Sequence, residues 1–159
     1  MFTVTLRFIY LLALALWVGS MTFFSFLATP TIFKVLPRDE AGTVVTAMFP
    51  KYYWLGIICG VIALATSLMV GALTRWSVLL IVRSILLGLM IVGVSYSFLV
   101  LEPKIHAVKA QITSFESLSP LDPLRIQFGR LHGRSFGINA AVLLLGVIVV
   151  FITAFTMKV

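Results

Sequence analysis

The stretch VLLIVRSILLGLMIVGVSYSFLVL, residues 78–101, decides the fold class, because Arg83 is its only charged residue. A bilayer hydrocarbon core about 30 Å thick is crossed by roughly 20 apolar residues in a helix. Lipid offers no hydrogen-bond partner to backbone N–H or C=O groups, so a spanning segment of this kind forms an unbroken helix. The stretch is therefore predicted to be a transmembrane helix.

Three more stretches of the chain, residues 8–29, 52–73 and 136–157, have the same character. The composition, with 61% hydrophobic and 11% charged residues and a mean hydropathy of +1.15, excludes an ordinary soluble domain. The first stretch is predicted to be a retained helix, since the bulky Phe26 precludes a small-residue cleavage site after Ala28. Residues 1–159 are thus predicted to form one all-α domain, an integral membrane four-helix bundle.

The net charge of +7 comes from basic residues that flank the predicted spans, which favours anionic lipid headgroups over nucleic acid as the partner. Eight basic residues lie in the first and third connections, and four lie near the termini and the second connection. By the positive-inside rule, the first and third connections are cytoplasmic and both termini lie outside, in a bacterial inner membrane. The cytoplasmic set is Lys34, Arg38, Lys51, Lys104, Lys109, Arg125, Arg130 and Arg134, and the outer set is Arg7, Arg75, Arg83 and Lys158.

The two longer connections carry helical patterns of their own. Pro37 is typical of a helix start, and apolar residues follow at helical spacing until Pro50, which predicts a short amphipathic helix on the cytoplasmic surface. A second stripe is predicted from Ile105 to Phe115. Asp122 and the proline after it indicate an N-cap and a first helical turn, so the fourth helix is predicted to start at Pro123. Helices three and four are then expected to project beyond the bilayer as an antiparallel pair.

Small residues predict how the helices pack. Gly56 and Gly60 share one face of the second span, and Gly133 and Gly137 share one face of the fourth helix. Such faces let helix backbones approach closely in lipid, where no hydrophobic drive acts between helices. Packing inside the bundle is the favoured interpretation, and a homo-oligomer or a larger membrane complex stays open.

No soluble-enzyme motif is present, and an enzymatic role is disfavoured. Polar residues instead meet at the cytoplasmic ends of spans three and four, where ionisable groups near hydrocarbon are costly unless paired. We expect Glu102 to pair with either His132 or Arg134, and Asn139 to extend the same inward face. Arginine there can also act as a lipid anchor. The candidate polar site is Glu102, His132, Arg134 and Asn139, with no catalytic residue and no metal ligand assigned.

Several fragments, in order along the chain, resemble the transmembrane-protein-205-like family of small four-span proteins. They are LWVGS (16–20), LPR (36–38), FPKYY (49–53) and RLHG (130–133). The resemblance implies a four-helix membrane protein of unsettled biochemical role, whose human namesake is associated with resistance to platinum drugs. It implies no catalytic residues.

A more distant likeness is to the copper-resistance D family and to haem-binding protoporphyrinogen oxidases, whose first helix carries a histidine upstream of a similar Trp-Val-Gly segment. The matching position here is Tyr10, and neither His106 nor His132 lies deep in a span, so haem is disfavoured and no cofactor is predicted. Cys59 stands alone and the methionines are scattered, which gives no copper or other metal site.

Two functions remain. The favoured one is a non-enzymatic membrane protein that binds or moves a small solute, a lipid or a metal species, or that serves as a subunit of a membrane assembly. The alternative is a membrane redox protein that binds haem or quinone.

The charge asymmetry predicts the accessibility of single cysteines introduced in a Cys59→Ser background. In intact cells, a membrane-impermeant thiol reagent should leave cysteines at Arg38 and Lys109 unlabelled, because both positions face the cytoplasm, and should label a cysteine at Arg75. Labelling at Arg38 and Lys109 with none at Arg75 would reverse the assigned orientation.

Overall fold

The computed structural model describes residues 2–156, and within this range every element of regular structure is helical. Four helices are long and apolar enough to cross a membrane, as the hydropathy pattern predicts. Met157 and Lys158, which the sequence places at the end of the fourth span and on the outer side, lie outside the described residues. The helices are α1 (Phe2–Val35), α2 (Arg38–Leu73), α3 (Val78–Lys109) and α4 (Pro123–Thr156).

The helices contain 32 to 36 residues each, so at 1.5 Å per residue they are about 50 Å long. A hydrocarbon core is about 30 Å thick. All four helices therefore extend beyond the core, whereas the sequence patterns predicted this only for the third and fourth.

The helices form a closed up-and-down bundle in which α1 packs on α2, α2 on α3, α3 on α4, and α4 back on α1. Residues 36–37 and 110–122 connect the helices at one end, here called the connection end. Residues 74–77 lie at the other, here called the terminal end. Because both ends of the described chain also lie there, one face of the bundle is built from helix connections and the other mainly from chain termini.

Prolines lie inside three helices near the connection end without breaking them. A π-helical turn at Phe24–Ala28 precedes Pro30, and another at Ser97–Leu101 precedes Pro103. Pro50 lies inside α2, so the segment predicted as a separate amphipathic helix before it is instead the first part of α2. Within a bundle, neighbouring helices and local π-turns compensate for the hydrogen bond that proline removes.

The third connection differs from its predicted pattern at one end and agrees at the other. Helix α3 ends at Lys109, so Ile112 and Phe115 lie in non-helical chain and the predicted stripe is wrong beyond that point. The start of α4 is confirmed. It begins at Pro123, and the Leu124 N–H donates a 2.8 Å hydrogen bond to Asp122 Oδ1.

Trp17 forms the centre of the core, where its side chain is 1% exposed and packs on α2. A Cβ atom built on Gly56 would lie 2.8 Å from Trp17 Nε1, and one built on Gly60 would lie 2.7 Å from Trp17 Cζ3. Both glycines therefore pack inside the bundle, but the group that fills the space over them is an indole ring and not the backbone of a neighbouring helix. The Ser20 hydroxyl donates to the Trp17 carbonyl, and the indole N–H has no hydrogen-bond partner among the described residues.

The glycine ladder of α4 does not pack as predicted. A Cβ atom built on Gly133 or Gly137 meets no atom within 4 Å, and both residues are exposed in the single chain. Packing inside the bundle is therefore wrong for these two positions. The close contact lies farther along the helix, where a Cβ atom on Gly146 would be 2.9 Å from Val18 Cγ2. A small-residue repeat identifies a smooth helix face but does not specify whether a neighbour covers it.

Alanine substitutions at matched glycines test this packing. Gly60→Ala should lower the free energy of unfolding by about 1–3 kcal/mol, because the added methyl group collides with the buried Trp17 ring. Gly137→Ala should leave it unchanged or raise it by about 0.5–1 kcal/mol, since alanine favours the helix and the site is open. The measurement is unfolding of the purified protein in detergent. Equal destabilisation by the two changes would contradict the packing described.

Candidate functional site

A cavity of about 380 Å³ opens at the connection end of the bundle, within the size range of small-molecule sites. Its lining includes Phe24 and Ser25 of the first π-turn, and Glu102, which follows the second. We call it the aromatic cavity, because its walls are formed mainly by Phe24, Phe49, Tyr52, Tyr53, Phe115 and Phe128.

The inner wall of the aromatic cavity is a cluster of stacked rings from α1 and α2. Phe24 stacks on Tyr52 with ring centroids 4.9 Å apart, and Phe49 stacks on Tyr53 at 5.7 Å. The rings are positioned by the first π-turn, which carries Phe24, and by the unbroken passage of α2 through Pro50. Tyr53 is 3% exposed, so it belongs to the core.

Hydrogen bonds between three helices fix the tyrosines. The Tyr52 hydroxyl donates to Asn139 Oδ1, and Asn139 Nδ2 donates to Ser25 Oγ at 3.3 Å. The Tyr53 hydroxyl lies 3.3 Å from Ser135 Oγ. Asn139 therefore joins α1, α2 and α4 at the base of the aromatic cavity.

Charged groups line a second wall, formed by α3. Glu102 is 6% exposed, and its Oε1 lies 3.1 Å from His106 Nε2, one helical turn away. Lys109 Nζ donates to the Gly42 carbonyl at 2.9 Å and to Thr46 Oγ1 at 2.8 Å, so it ties α3 to α2. A buried carboxylate needs such a partner, because burial without one is costly.

The third connection contributes Phe115 to the lining of the cavity. Asp39 holds it in place, since its Oδ2 accepts a 2.6 Å hydrogen bond from the Ser114 hydroxyl and its Oδ1 accepts the Phe115 N–H at 3.0 Å. The Phe115 ring packs on Phe128, with centroids 4.7 Å apart. Phe128 in turn stacks parallel to the His132 ring at 5.7 Å. The rings of Phe115, Phe128 and His132 therefore form one packed group that lines this side of the cavity.

Three of the four residues predicted as a polar site line this cavity, namely Glu102, His132 and Asn139. Arg134 does not, because its side chain is exposed on another face of α4. The predicted pairing of Glu102 with His132 or Arg134 is wrong among the described residues. Since α3 continues through Pro103, His106 falls one turn from Glu102 and takes that role.

Sequence reasoning missed the part played by the ring cluster, by His106 and by Lys109. The signal that could have found them is the placement of Pro30, Pro50 and Pro103, which all lie toward the connection end of the bundle. Prolines inside helices, two of them preceded by π-turns, indicate a locally irregular region, and π-turns are frequent at functional sites. Among residues 2–156, no group of three or more histidine, cysteine or acidic side chains is arranged to hold a metal ion.

Comparison with known proteins gives the family. Residues 12–114 match the family described as "Domain of unknown function (DUF4149)". The chain belongs to the DUF4149 family. It is 41% identical over 137 residues to an uncharacterized protein of Aquifex aeolicus (strain VF5), an alignment that covers 84% of this chain and 88% of that one. No solved structure matches the DUF4149 chain. The resemblance to the transmembrane-protein-205-like family stays a prediction.

Two alanine variants from the predicted polar site should behave differently. Asn139→Ala should lower the free energy of unfolding by about 1–3 kcal/mol, because it removes the Tyr52 and Ser25 hydrogen bonds at a partly buried position. Arg134→Ala should change it by less than about 0.5 kcal/mol, as is usual for exposed side chains. Thermal unfolding in detergent measures both. A loss at Arg134 equal to that at Asn139 would mean that Arg134 has a partner in the bundle.

Proposed function

We propose that this DUF4149 protein is a non-enzymatic membrane protein that binds a small amphipathic molecule in the aromatic cavity. The observation that carries the proposal is the division of the cavity into a wall of stacked rings and a wall of charged groups. Binding sites for small molecules are mostly apolar with a few placed polar groups that orient the ligand. A ligand with a flat or branched apolar body and one polar end fits this division.

Two donors that line the cavity are available to polar groups of the ligand, Lys109 on α3 and Thr29 on α1. The Lys109 ammonium has three N–H donors, and the bonds to Gly42 and Thr46 use two of them. The Thr29 hydroxyl, which lines the cavity, is buried and has no hydrogen-bond partner among the described residues. Both groups donate, so the ligand's polar end is expected to be an acceptor, such as a carbonyl, a carboxylate or a phosphate oxygen.

One observation supports the redox alternative. Both histidines of the chain, His106 and His132, line the aromatic cavity. A quinone ring could lie against the aromatic wall and accept a hydrogen bond there. Haem is less well supported. His106 pairs with Glu102. Tyr10 occupies the position of the haem-ligating histidine in the distantly similar families, but it lies at the terminal end and its hydroxyl forms a hydrogen bond with Thr153. We also propose that the aromatic cavity faces the cytoplasm, because the first and third connections carry more basic residues than the other side.

A cavity-filling substitution tests the proposal. Gly42 lines the aromatic cavity, and a Cβ atom there has only Lys109 Nζ nearby, at 3.8 Å, so Gly42→Phe should occupy the ligand's space. Gly129→Phe is the matched control, because Gly129 is exposed and a Cβ atom there meets nothing within 4 Å. Wild type and Gly129→Phe should copurify with one amphipathic species that Gly42→Phe lacks, as measured by mass spectrometry of extracts from protein purified in mild detergent.

The same extracts decide between the two functions. A quinone in the extract, or a Soret absorbance band of the intact protein that Gly42→Phe abolishes, would favour the redox alternative. An identical small-molecule content in all three proteins would contradict binding in the aromatic cavity.

A further inference from the structure

A second, smaller cavity of about 130 Å³ lies at the terminal end of the bundle, where all four helices and the second connection contribute side chains. Its lining differs from that of the aromatic cavity, because it is dominated by guanidinium and hydroxyl groups. We call it the arginine cavity, and its lining includes Arg7, Arg75, Arg83, Thr66, Ser67 and Ser77.

Arg83 lies at the base of the arginine cavity and is 6% exposed, although it belongs to a membrane-spanning helix. Its Nη2 donates to Ser67 Oγ at 3.2 Å, and its Cζ lies 4.4 Å from the centre of the Tyr10 ring. Its Nε is buried and has no hydrogen-bond partner among the described residues. A guanidinium has five N–H donors, so most of its donor capacity is not used by the protein.

The orientation of Arg83 is fixed by a chain of hydroxyl groups. The Ser84 hydroxyl donates to the Leu80 carbonyl at 2.9 Å, so its single hydrogen is used there. Ser67 Oγ, 3.0 Å from Ser84 Oγ, must then donate to Ser84 and accept from Arg83. The guanidinium is thus held between a polar chain and an aromatic face before any ligand arrives.

No acidic side chain compensates the arginines of this cavity. The chain has only five acidic residues, and none of them lines the arginine cavity. Each lies in or beside a segment near the connection end, on the opposite side of the bundle. Three positive groups therefore line one small cavity, and one of them, Arg83, is buried, where a charge is costly unless it is paired. The acidic residues are Asp39, Glu40, Glu102, Glu116 and Asp122.

We propose that the arginine cavity binds a phosphate-type oxyanion, supplied either by a phospholipid headgroup or by free inorganic phosphate. The planar fork of an arginine matches two oxygens of such a group, and charge-assisted hydrogen bonds of this kind are the strong ones. The N-terminus of α3 contributes as well, since Ser77 lines the cavity as its N-cap residue and helix N-termini favour anions. The volume fits one headgroup and not a drug-sized molecule. The proposal is independent of the ligand in the aromatic cavity.

The test uses the full chain in a phosphate-free sugar detergent and measures thermal unfolding. One arm adds inorganic phosphate against sodium chloride of equal ionic strength. The other adds short-chain phosphatidic acid against the matching diacylglycerol, which lacks the phosphate. Wild type should be stabilised by a phosphate-bearing probe and not by the matched control, which is sodium chloride in the first arm and diacylglycerol in the second. Stabilisation by both probes shows that a free phosphate suffices, and stabilisation by phosphatidic acid alone identifies the lipid headgroup as the source.

The variants locate the binding. Arg7→Gln and Arg75→Gln change exposed side chains, so folding is retained, and each should weaken the apparent affinity about tenfold by removing a charge-assisted bond. Arg130→Gln is the matched control, because Arg130 is exposed and lines neither cavity. It should respond as wild type does. The proposal is overturned if wild type responds to neither probe, or if Arg7→Gln and Arg75→Gln respond as Arg130→Gln does.

Discussion

The seating of the Trp17 ring on Gly56 and Gly60 sets the position of α1 against α2, and the rest of the bundle depends on it. In lipid, helices associate by close packing of surfaces and not by a hydrophobic drive, so an indole ring in a glycine-lined groove is an effective contact. Phe24 lies two turns beyond Trp17, and Tyr52 lies one turn before Gly56. The same contact that packs the core therefore brings these two rings together at the wall of the aromatic cavity.

The two ends of the bundle have opposite chemistry. The connection end combines aromatic rings with all five acidic residues of the chain and with basic partners such as Lys109 and His106. The terminal end collects arginine and hydroxyl groups without an acidic partner in its cavity. A four-helix bundle alone does not require this separation, since each helix satisfies its own backbone hydrogen bonds. The separation instead suits two different occupants, an amphipathic molecule at one end and an oxyanion at the other.

Local signals predicted local structure well. The apolar run at 78–101 is sufficient to predict a spanning helix, because length and hydropathy alone decide that outcome. The start of α4 follows from Asp122 and Pro123, whose cap and first-turn preferences act within a few residues. The same local logic failed at Pro50, because a proline that would break an isolated helix is tolerated where neighbouring helices pack around it.

The failures at the candidate site have one physical cause, which is that pairing depends on neighbours that a sequence does not specify. The partner of Glu102 changed because α3 continues past Pro103 and brings His106 within one turn. Gly137 has the same spacing signal as Gly60, yet only Gly60 faces another helix. Arg83 stands out in the sequence as the only charged residue of the stretch 78–101, but the sequence does not show that its side chain is buried between Ser67 and the Tyr10 ring.

Electron cryomicroscopy of the protein in native-lipid nanodiscs, with a bound antibody fragment to add mass, would show directly whether a ligand occupies the aromatic cavity. We predict non-protein density there, in contact with the stacked Phe24 and Tyr52 rings and with its polar end toward Lys109. A cavity without such density, or one filled by inward rotation of the Phe115 and Phe128 side chains, would contradict it.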